Sequence, residues 1–213
     1  MNTVLHVGCG MNRIKQLPPL FQDGNWDEIR YDIDPNVNPE IVGTLQDMSL
    51  LEDACVDAVY SSHNIEHVWA FEVQGVLKEF RRVLKPDGFA LILCPDMLSV
   101  AQAISEGFLE KAVYESPAGP ITALDIVYGY HSDIQAGNYY MAHKTAFTSE
   151  TLATHLERAG FAAAIIARDK LLGLHAFAMP YPWPMDLANE VLKGLMPRED
   201  GIVGISRHGE TAA

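Results

Sequence analysis

Basic residues are scarce in this chain of 213 residues, which has 15 lysines and arginines against 28 aspartates and glutamates. The net charge of −13 at pH 7 disfavours binding to nucleic acid, because phosphates need a positively charged surface. It equally disfavours an anionic membrane surface. The chain also lacks an apolar run of the roughly 20 residues that cross a membrane. We therefore expect a cytoplasmic protein with neither nucleic-acid nor membrane partners.

Cysteine is also rare, and no two cysteines have CxxC spacing. The three thiols at Cys9, Cys55 and Cys94 are expected to be reduced, as is usual in the cytosol. The amino terminus enters a predicted strand without the basic and apolar segments of a signal peptide. Internal repeats are absent as well. A hydrophobic content of 48% at this length predicts one domain with a sizeable core.

The stretch TVLHVGCGMNR, residues 3–13, carries the strongest local signal. Its apolar run breaks into glycines, which predicts a buried parallel strand followed by a tight turn. Glycine lets the backbone approach a ligand that a Cβ would repel. Ligands of open α/β sheets bind outside the carboxyl ends of the strands. The first residues therefore predict a nucleotide-like site.

Strands and helices alternate along the rest of the chain. Further strands are predicted over residues 26–33, 41–42, 56–61, 89–94, 161–167 and 172–179. Helices are predicted over residues 12–21, 62–84, 95–110, 148–159 and 186–195, and the final ten residues are expected to be frayed. Alternation at this spacing is typical of βαβ units in a parallel sheet.

Residues 111–147 differ from this pattern, because they are rich in tyrosine, glycine and histidine and show little periodicity. A stretch of this length is usually functional or a lid, although an ordinary polar loop is the alternative. We expect one domain over residues 1–180, with residues 97–147 as an acceptor-binding or lid insertion. Residues 181–213 would then form a carboxyl-terminal tail.

Five segments follow one another in a specific order: VLHVGCG, YDIDP, LQDMSL, VDAVYSSHNIEHV and LKEFRRVLKPDGFALILCPD. This set, within residues 3–96, resembles the class I S-adenosylmethionine-dependent methyltransferases. It is most similar to small predicted methyltransferases with GCG, DIDP, SSHxxEH and RVLKPGG motifs. Weaker similarity returns over residues 139–161. The resemblance implies a Rossmann-like, doubly wound, mostly parallel α/β sheet, with residues 172–179 as one antiparallel strand near its carboxyl-terminal edge.

The resemblance also implies S-adenosyl-L-methionine as the methyl donor and S-adenosyl-L-homocysteine as its product. The cofactor-binding residues that it implies are Gly8, Cys9, Gly10, Asp32, Ile33, Asp47, Met48 and Ser62. The turn amides, helped by the N-terminus of the following helix, would bind the methionine carboxylate. NAD binding is disfavoured, because Arg13 replaces the last glycine of GxGxxG.

Two acidic residues are implied for the adenosyl part. Asp32 aligns with the residue that accepts hydrogen bonds from the ribose hydroxyls. Asp34 is the less favoured alternative. Asp47 would accept from the adenine amino group, the N–H of Met48 would donate to the ring, and Ser62 would line the reactive end.

The chain departs from the family at His6, where an acid is common, and at Asn12, where a third glycine is common. These departures slightly favour the alternative of a non-catalytic SAM-binding, nucleotide-binding or partner module. The helix that usually precedes the first strand is missing. A lid is therefore expected from residues 97–147, or from a second subunit in a homodimer. The expected acceptor is a small or sugar-like molecule.

The segment His63–His67 reads HNIEH and fits the HxxEH signature of a group of zinc proteases. Two histidines four residues apart on a helix can share a metal. However, the methyltransferase pattern places the same residues at the start of a helix, and no downstream acidic ligand is evident. We therefore expect no metal site. His63 is instead a candidate general base, with a merely structural role as the alternative.

Overall fold

The computed structural model describes residues 1–184 and the backbone of residues 202–207. Its strands are β1 (Asn2–Val7), β2 (Trp26–Asp32), β3 (Ile41–Val42), β4 (Val56–Ser62), β5 (Leu84–Pro95), β6 (Ala112–Ser116), β7 (Gly119–Thr122), β8 (Ala163–Arg168), β9 (Gly173–Met179) and β10 (Ile202–Arg207). Its α-helices are α1 (Val73–Val83), α2 (Met97–Ser105), α3 (Ala123–Tyr128), α4 (His131–Gln135) and α5 (Ser149–Arg158). Single 3₁₀ turns cover Ile14–Gln16, Pro19–Gln22, Pro35–Val37, Ile65–His67 and Tyr139–Met141.

The main sheet has the strand order β10-β8-β9-β5-β4-β1-β2-β3. The five strands from β5 to β3 are mutually parallel. β9 is antiparallel to both β5 and β8. This arrangement confirms the predicted Rossmann-like, mostly parallel sheet with an antiparallel strand close to one edge. It also places a topological switch point between β1 and β4, where such folds bind ligands.

β10 adds an edge strand antiparallel to β8, which the sequence did not predict. The prediction that the final ten residues are frayed is therefore wrong for residues 204–207, whose backbone pairs with a strand. The predicted helix over residues 186–195 lies outside the described residues. Within those residues, no helix is both long enough and apolar enough to cross a membrane.

The two faces of the sheet are covered differently. On one face, α1 and α5 pack into a core with the strands, and α1 buries residues at helical spacing, namely Val73, Val76, Leu77, Phe80 and Val83. On the other face, Phe21 packs edge-on against Trp26 with ring centroids 5.0 Å apart.

The predicted helix over residues 12–21 is wrong, because 3₁₀ turns occupy this segment. Pro18 and Pro19 lack the N–H groups that would continue a helix.

The predicted helix over residues 62–84 is also wrong in its first half. His63 adopts a left-handed conformation with φ of 49°, and its N–H donates to Leu93 O at 2.9 Å. The Glu72 carboxylate accepts from the Trp69 N–H at 2.9 Å, and α1 begins only at Val73. Ile65 and Val68 in the first half are buried although they lie in or next to a 3₁₀ turn. Their spacing in the sequence was therefore the same as that of a helix, although no helix forms there.

The segment between β5 and α5 forms a small layer of its own. It contains α2, the β6–β7 hairpin, α3 and α4, with a core around Val100, Ala123 and Ile126. Thr122 caps α3 by accepting from the Asp125 N–H at 3.1 Å. The next α-helix, α5, begins at Ser149 with Thr148 as its N-cap, close to the predicted start of the helix over residues 148–159. This layer stands beside the carboxyl ends of the parallel strands and completes the site described next.

Candidate active site

A cleft of about 240 Å³ opens at the carboxyl ends of β1, β2 and β4. We call it the strand-end cleft. Its walls are the glycine turn after β1, residues 31–34 at the end of β2, residues 43–46 after β3, residues 63–64 after β4, and parts of residues 138–144. The cleft therefore lies where the strand order predicts a ligand site.

The glycine turn requires glycine at two positions. Gly8 and Gly10 have φ values of 59° and 50°, a region that side chains other than glycine rarely adopt. A Cβ on Gly8 would lie 2.3 Å from the side-chain nitrogen of Asn64. A Cβ on Gly10 would have no atom within 4 Å, although Gly10 lines the cleft. The backbone at Gly10 is therefore open to a ligand that enters the cleft.

Asp32 holds a buried carboxylate against this turn. Its Oδ2 accepts from the Gly10 N–H at 2.8 Å, and its Oδ1 accepts from the Asp34 N–H at 2.9 Å. Each oxygen retains a lone pair for another donor. The Asp34 carboxylate accepts from the backbone and side chain of Asn36 and so caps the turn over Pro35–Val37. The two carboxylates are thus used differently, the preference for Asp32 as the ribose ligand stays a prediction, and Asp34 and the intervening Ile33 also line the cleft.

Arg30 is a buried residue that sequence reasoning missed. Its guanidinium donates to Gly10 O at 2.5 Å and Asn12 O at 3.0 Å on the glycine turn. It also donates to Val37 O at 3.0 Å and Asn38 O at 2.5 Å on the loop after β2. The signal was a single arginine between the apolar residues of a predicted buried strand. Arg30 therefore joins the two loops that form one side of the cleft.

No α-helix follows the glycine turn in the described stretch between β1 and β2, so the expected help from a helix N-terminus is wrong. A buried pair supports the turn instead. His6 Nδ1 lies 2.7 Å from Glu28 Oε1, and Glu28 Oε2 accepts from the Ile14 N–H at 2.7 Å. Burial lowers the pKa of His6 even though Glu28 opposes this. Position 6, where the family often has an acidic residue, holds a histidine here, and Glu28 of the neighbouring strand β2 places a carboxylate beside it.

Four residues implied by the resemblance have side chains outside the residues that line the cleft. Cys9 is buried, and burial raises the pKa of its thiol to about 11, so only its backbone contributes to the turn. Asp47 is exposed and accepts from the Ser49 N–H at 3.0 Å. Met48 is fully buried in the core, and Ser62 lies outside the cleft lining.

The loop after β3 therefore meets the cleft through other residues than those expected. Thr44, Leu45 and Gln46 form its lining, because Met48 anchors the loop in the core and Asp47 turns outward. The roles of Asp47 and Met48 in binding the cofactor stay predictions. Which side chains of this loop face the cleft is not visible in the sequence, because the loop lacks the alternation that fixes side-chain direction in a strand.

A second cavity of about 400 Å³ adjoins the strand-end cleft. The two share His63, His67 and Met141 as lining residues. Polar groups of the β6–α4 layer, including Tyr114 and Tyr130, face the second cavity. A ligand in the cleft and another in the second cavity would therefore meet at the two histidines.

His63 stands at this junction with its side chain 58% exposed, and its Nδ1 lies 3.4 Å from Glu66 Oε1. Burial lowers the pKa of His63, whereas the nearby Glu66 carboxylate raises it. The effect of Glu66 is the larger one, so the pKa of His63 is raised. Glu66 is itself buried. Burial alone would raise the pKa of Glu66, yet the surrounding histidines lower it.

Three groups that bind metals in proteins also meet here. One carboxylate oxygen of Glu66 and one ring nitrogen each of His67 and His143 lie within 4.8 Å of one another. The zinc-protease arrangement of two histidines on one helix is not formed, since His67 lies in a 3₁₀ turn and His63 lies before it. The residue that sequence reasoning missed is His143, which comes from the aperiodic stretch.

The sheet order and the cleft at its switch point define the class: a Rossmann-like α/β domain with a ligand site at the carboxyl ends of its strands. A family model described as "Methyltransferase domain" matches residues 5–92. This range contains the glycine turn, Asp32 and His63. The match over residues 5–92 confirms the resemblance to class I S-adenosylmethionine-dependent methyltransferases. A comparison with curated proteins finds no match.

Solved structures share the fold at low sequence identity. The PH0226 protein of Pyrococcus horikoshii is 16% identical, with a TM-score of 0.57 over 84% of this chain and 82% of that one. A SAM-dependent methyltransferase of Methanosarcina mazei is 17% identical, with a TM-score of 0.54 over 83% and 91%. The 1,6-didemethyltoxoflavin-N1-methyltransferase of Burkholderia thailandensis, solved with bound S-adenosylhomocysteine, is 15% identical, with a TM-score of 0.52 over 83% and 70%.

Proposed function

We propose that this protein transfers a methyl group from S-adenosyl-L-methionine to a small-molecule acceptor. The observation that carries the proposal is the convergence of an open glycine backbone and a buried carboxylate in one cleft. Gly10 has free space where a Cβ would stand, and Asp32 holds unused lone pairs beside it. S-adenosylmethionine supplies a methyl carbon on a sulfonium, whose C–S electron pair stays on sulfur when the acceptor attacks.

The residues of the cleft fit the three parts of this donor. The open backbone at Gly10 leaves room for its amino-acid part, while the N–H groups of Gly8 and Gly10 already donate to Tyr31 O and to Asp32. Asp32 suits the ribose, because an ionised carboxylate only accepts and a ribose offers two O–H donors. Leu45 and Gln46 suit the adenine, since one gives an apolar face and the other an amide that can both donate and accept.

The second cavity suits the acceptor. It joins the strand-end cleft at His63 and His67. Its lining is mostly apolar, with Tyr130, Asp133 and His143 among its polar groups, which suits a small acceptor that has both apolar and hydrogen-bonding parts. The net charge of −13 argues against a nucleic-acid acceptor. An obstructed cleft would have favoured a non-catalytic binding module. The connection between the two cavities supports catalysis instead.

His63 is the proposed base where the acceptor must lose a proton. Its imidazole is exposed at the junction of the cavities, and Glu66 makes it more basic. The acceptor atom forms the new bond to the methyl carbon, and its proton passes to His63. Placing the two reactants in line and excluding water can lower the barrier by roughly 7 to 11 kcal/mol, so positioning carries most of the catalysis.

Calorimetric titration with S-adenosylhomocysteine tests the proposal. Asp32→Asn should weaken binding by about 10- to 100-fold, because hydrogen bonds to a charged group contribute about 1.5 to 3 kcal/mol. Asp34→Asn is the matched control, and it should change the affinity by less than about threefold because Asp34 only caps a turn.

Two results would overturn the proposal: an absence of binding to the wild type at millimolar ligand, or equal losses in both variants. Thermal denaturation of each variant shows whether the fold is retained. A larger loss from Asp34→Asn than from Asp32→Asn would reassign the ribose to Asp34.

A further inference from the structure

The proposed methyl transfer gives no role to His67 or His143, and it uses Glu66 only as the neighbour of His63. We propose that the cluster of Glu66, His67 and His143 binds one divalent transition-metal ion at the junction of the two cavities. The three come from separate positions in the chain, because Glu66 and His67 precede α1 whereas His143 lies just before α5. The fold brings them together with ligand atoms no more than 4.8 Å apart.

The first argument is the state of the Glu66 carboxylate. Glu66 is 1% exposed, and neither of its side-chain oxygens accepts a hydrogen bond from any described residue. His63 Nδ1 lies 3.4 Å from Oε1 without hydrogen-bond geometry. A buried charge costs several kcal/mol unless it is paired or coordinates a metal. A bound cation would compensate this carboxylate.

The second argument is the orientation of the histidine rings. His67 Nδ1 lies 3.2 Å from Ala142 O, and His143 Nδ1 lies 2.7 Å from Ile126 O. A carbonyl oxygen can only accept, so Nδ1 carries the proton in both rings and the lone pair is on Nε2. Metal-ligating histidines usually donate their other N–H to a carbonyl or carboxylate in this way. Both rings therefore already have the tautomer and the support that a ligand needs.

The donor set indicates the kind of metal. Two imidazoles with one carboxylate suit first-row ions such as Zn²⁺, Mn²⁺ or Fe²⁺, whereas Mg²⁺ and Ca²⁺ prefer oxygen ligands. Ligands bound at about 2.0 to 2.2 Å lie at most about 4.4 Å apart. In a tetrahedral site such ligands lie about 3.5 Å apart, so the side chains would have to close in by up to roughly 1.3 Å around an ion.

Three protein ligands leave coordination positions open. His67 lines both cavities, and His143 lines the second, so an open position would face the region assigned to the acceptor. The inference, which at this point rests on the proposed function, is that the metal holds an oxygen or nitrogen atom of the acceptor. Glu66 is then a ligand, unlike the glutamate of an HxxEH protease, which acts as the base.

The test is metal binding by the full chain, purified without an affinity tag and stripped with a chelator. Calorimetry with Zn²⁺ should show one equivalent bound, and Co²⁺ should give the visible absorption of an ion with nitrogen and oxygen ligands. Glu66→Gln and His143→Gln should each weaken Zn²⁺ binding by at least tenfold. The control His131→Gln removes an exposed histidine outside the cluster and should leave binding unchanged.

Weak Zn²⁺ binding by the wild type, or equal binding by the wild type and both cluster variants, would overturn the inference. Glu66→Gln removes a buried charge whose oxygens accept no hydrogen bond from the described residues, so its metal-free form should unfold at the same temperature as the wild type or a higher one. S-adenosylhomocysteine binding by Glu66→Gln separates the two proposals. If Glu66→Gln still binds S-adenosylhomocysteine but no longer binds Zn²⁺, the methyl-transfer proposal and the metal proposal both stand. If neither the wild type nor Glu66→Gln binds S-adenosylhomocysteine while the wild type binds Zn²⁺, only the methyl-transfer proposal fails.

Discussion

Gly10 and Asp32 are joined in one small structure, since the amide of the first donates to the carboxylate of the second at 2.8 Å. That bond fixes the turn while it leaves the cleft side of Gly10 open. The positive φ of Gly10 and the free space beyond it are separate requirements for glycine. One concerns the stability of the fold, and the other concerns access of a ligand to the backbone. They can be separated by experiment.

Gly10→Ala should reduce the free energy of unfolding by roughly 1 to 2 kcal/mol, because a Cβ disfavours the left-handed conformation. It should also weaken S-adenosylhomocysteine binding by about tenfold or more, a loss of about 1.4 kcal/mol, because the new methyl group would enter the cleft. Urea denaturation and calorimetric titration measure the two effects.

Gly24→Ala is the matched control for this prediction. Gly24 has a φ of 82° and also has no atom within 4 Å of a built Cβ, but it precedes β2 at the opposite edge of the sheet. The backbone cost should be similar and the affinity should not change. Equal losses of affinity in the two variants would show that the turn acts through stability alone.

The two loops around the cleft are joined as elements by Arg30. Its guanidinium binds carbonyls of the glycine turn and of the loop after β2, and this geometry needs several donors spread over a plane. A lysine in its place has donors at a single point. The hydrogen bonds that join the two loops, more than the positive charge, therefore explain why an arginine lies in the middle of a buried strand.

Arg30→Lys should lower the free energy of unfolding by about 2 kcal/mol or more, because buried carbonyls lose their donors. It should also weaken S-adenosylhomocysteine binding, since the turn and the loop would no longer be held together. Urea denaturation and titration provide both readouts. Arg158→Lys on the exposed side of α5 should stay within about 0.5 kcal/mol of the wild type, and an Arg30→Lys protein as stable as that control would contradict the account.

Elements with strong periodicity were predicted well from the sequence. The strands next to the cleft and the antiparallel strand near the edge were all placed, because alternation and glycine turns are local signals. The helix over residues 62–84 failed because Ile65 and Val68 reach the core from a turn. A helix after the glycine turn failed because Pro18 and Pro19 exclude it. Neither the bonds of Arg30 nor the approach of His143 to Glu66 could be predicted, because both depend on long-range packing.

The whole molecule combines a Rossmann-like sheet with a separate layer over the carboxyl ends of its strands. The sheet supplies the strand-end cleft, and the layer between β5 and α5 supplies most of the second cavity and His143. A homodimer and a cytoplasmic location remain predictions from the sequence. The central claim is that the cleft binds the adenosyl donor with its reactive end toward the second cavity.

The most direct measurement is a crystal structure of the protein with S-adenosylhomocysteine. We expect the ribose hydroxyls to donate to Asp32, the amino-acid part to lie along Gly8 and Gly10, the adenine to contact Leu45 and Gln46, and the sulfur to face His63. Ligand density outside this cleft, or a ribose bound to Asp34 with Asp32 still occupied only by backbone amides, would contradict the account.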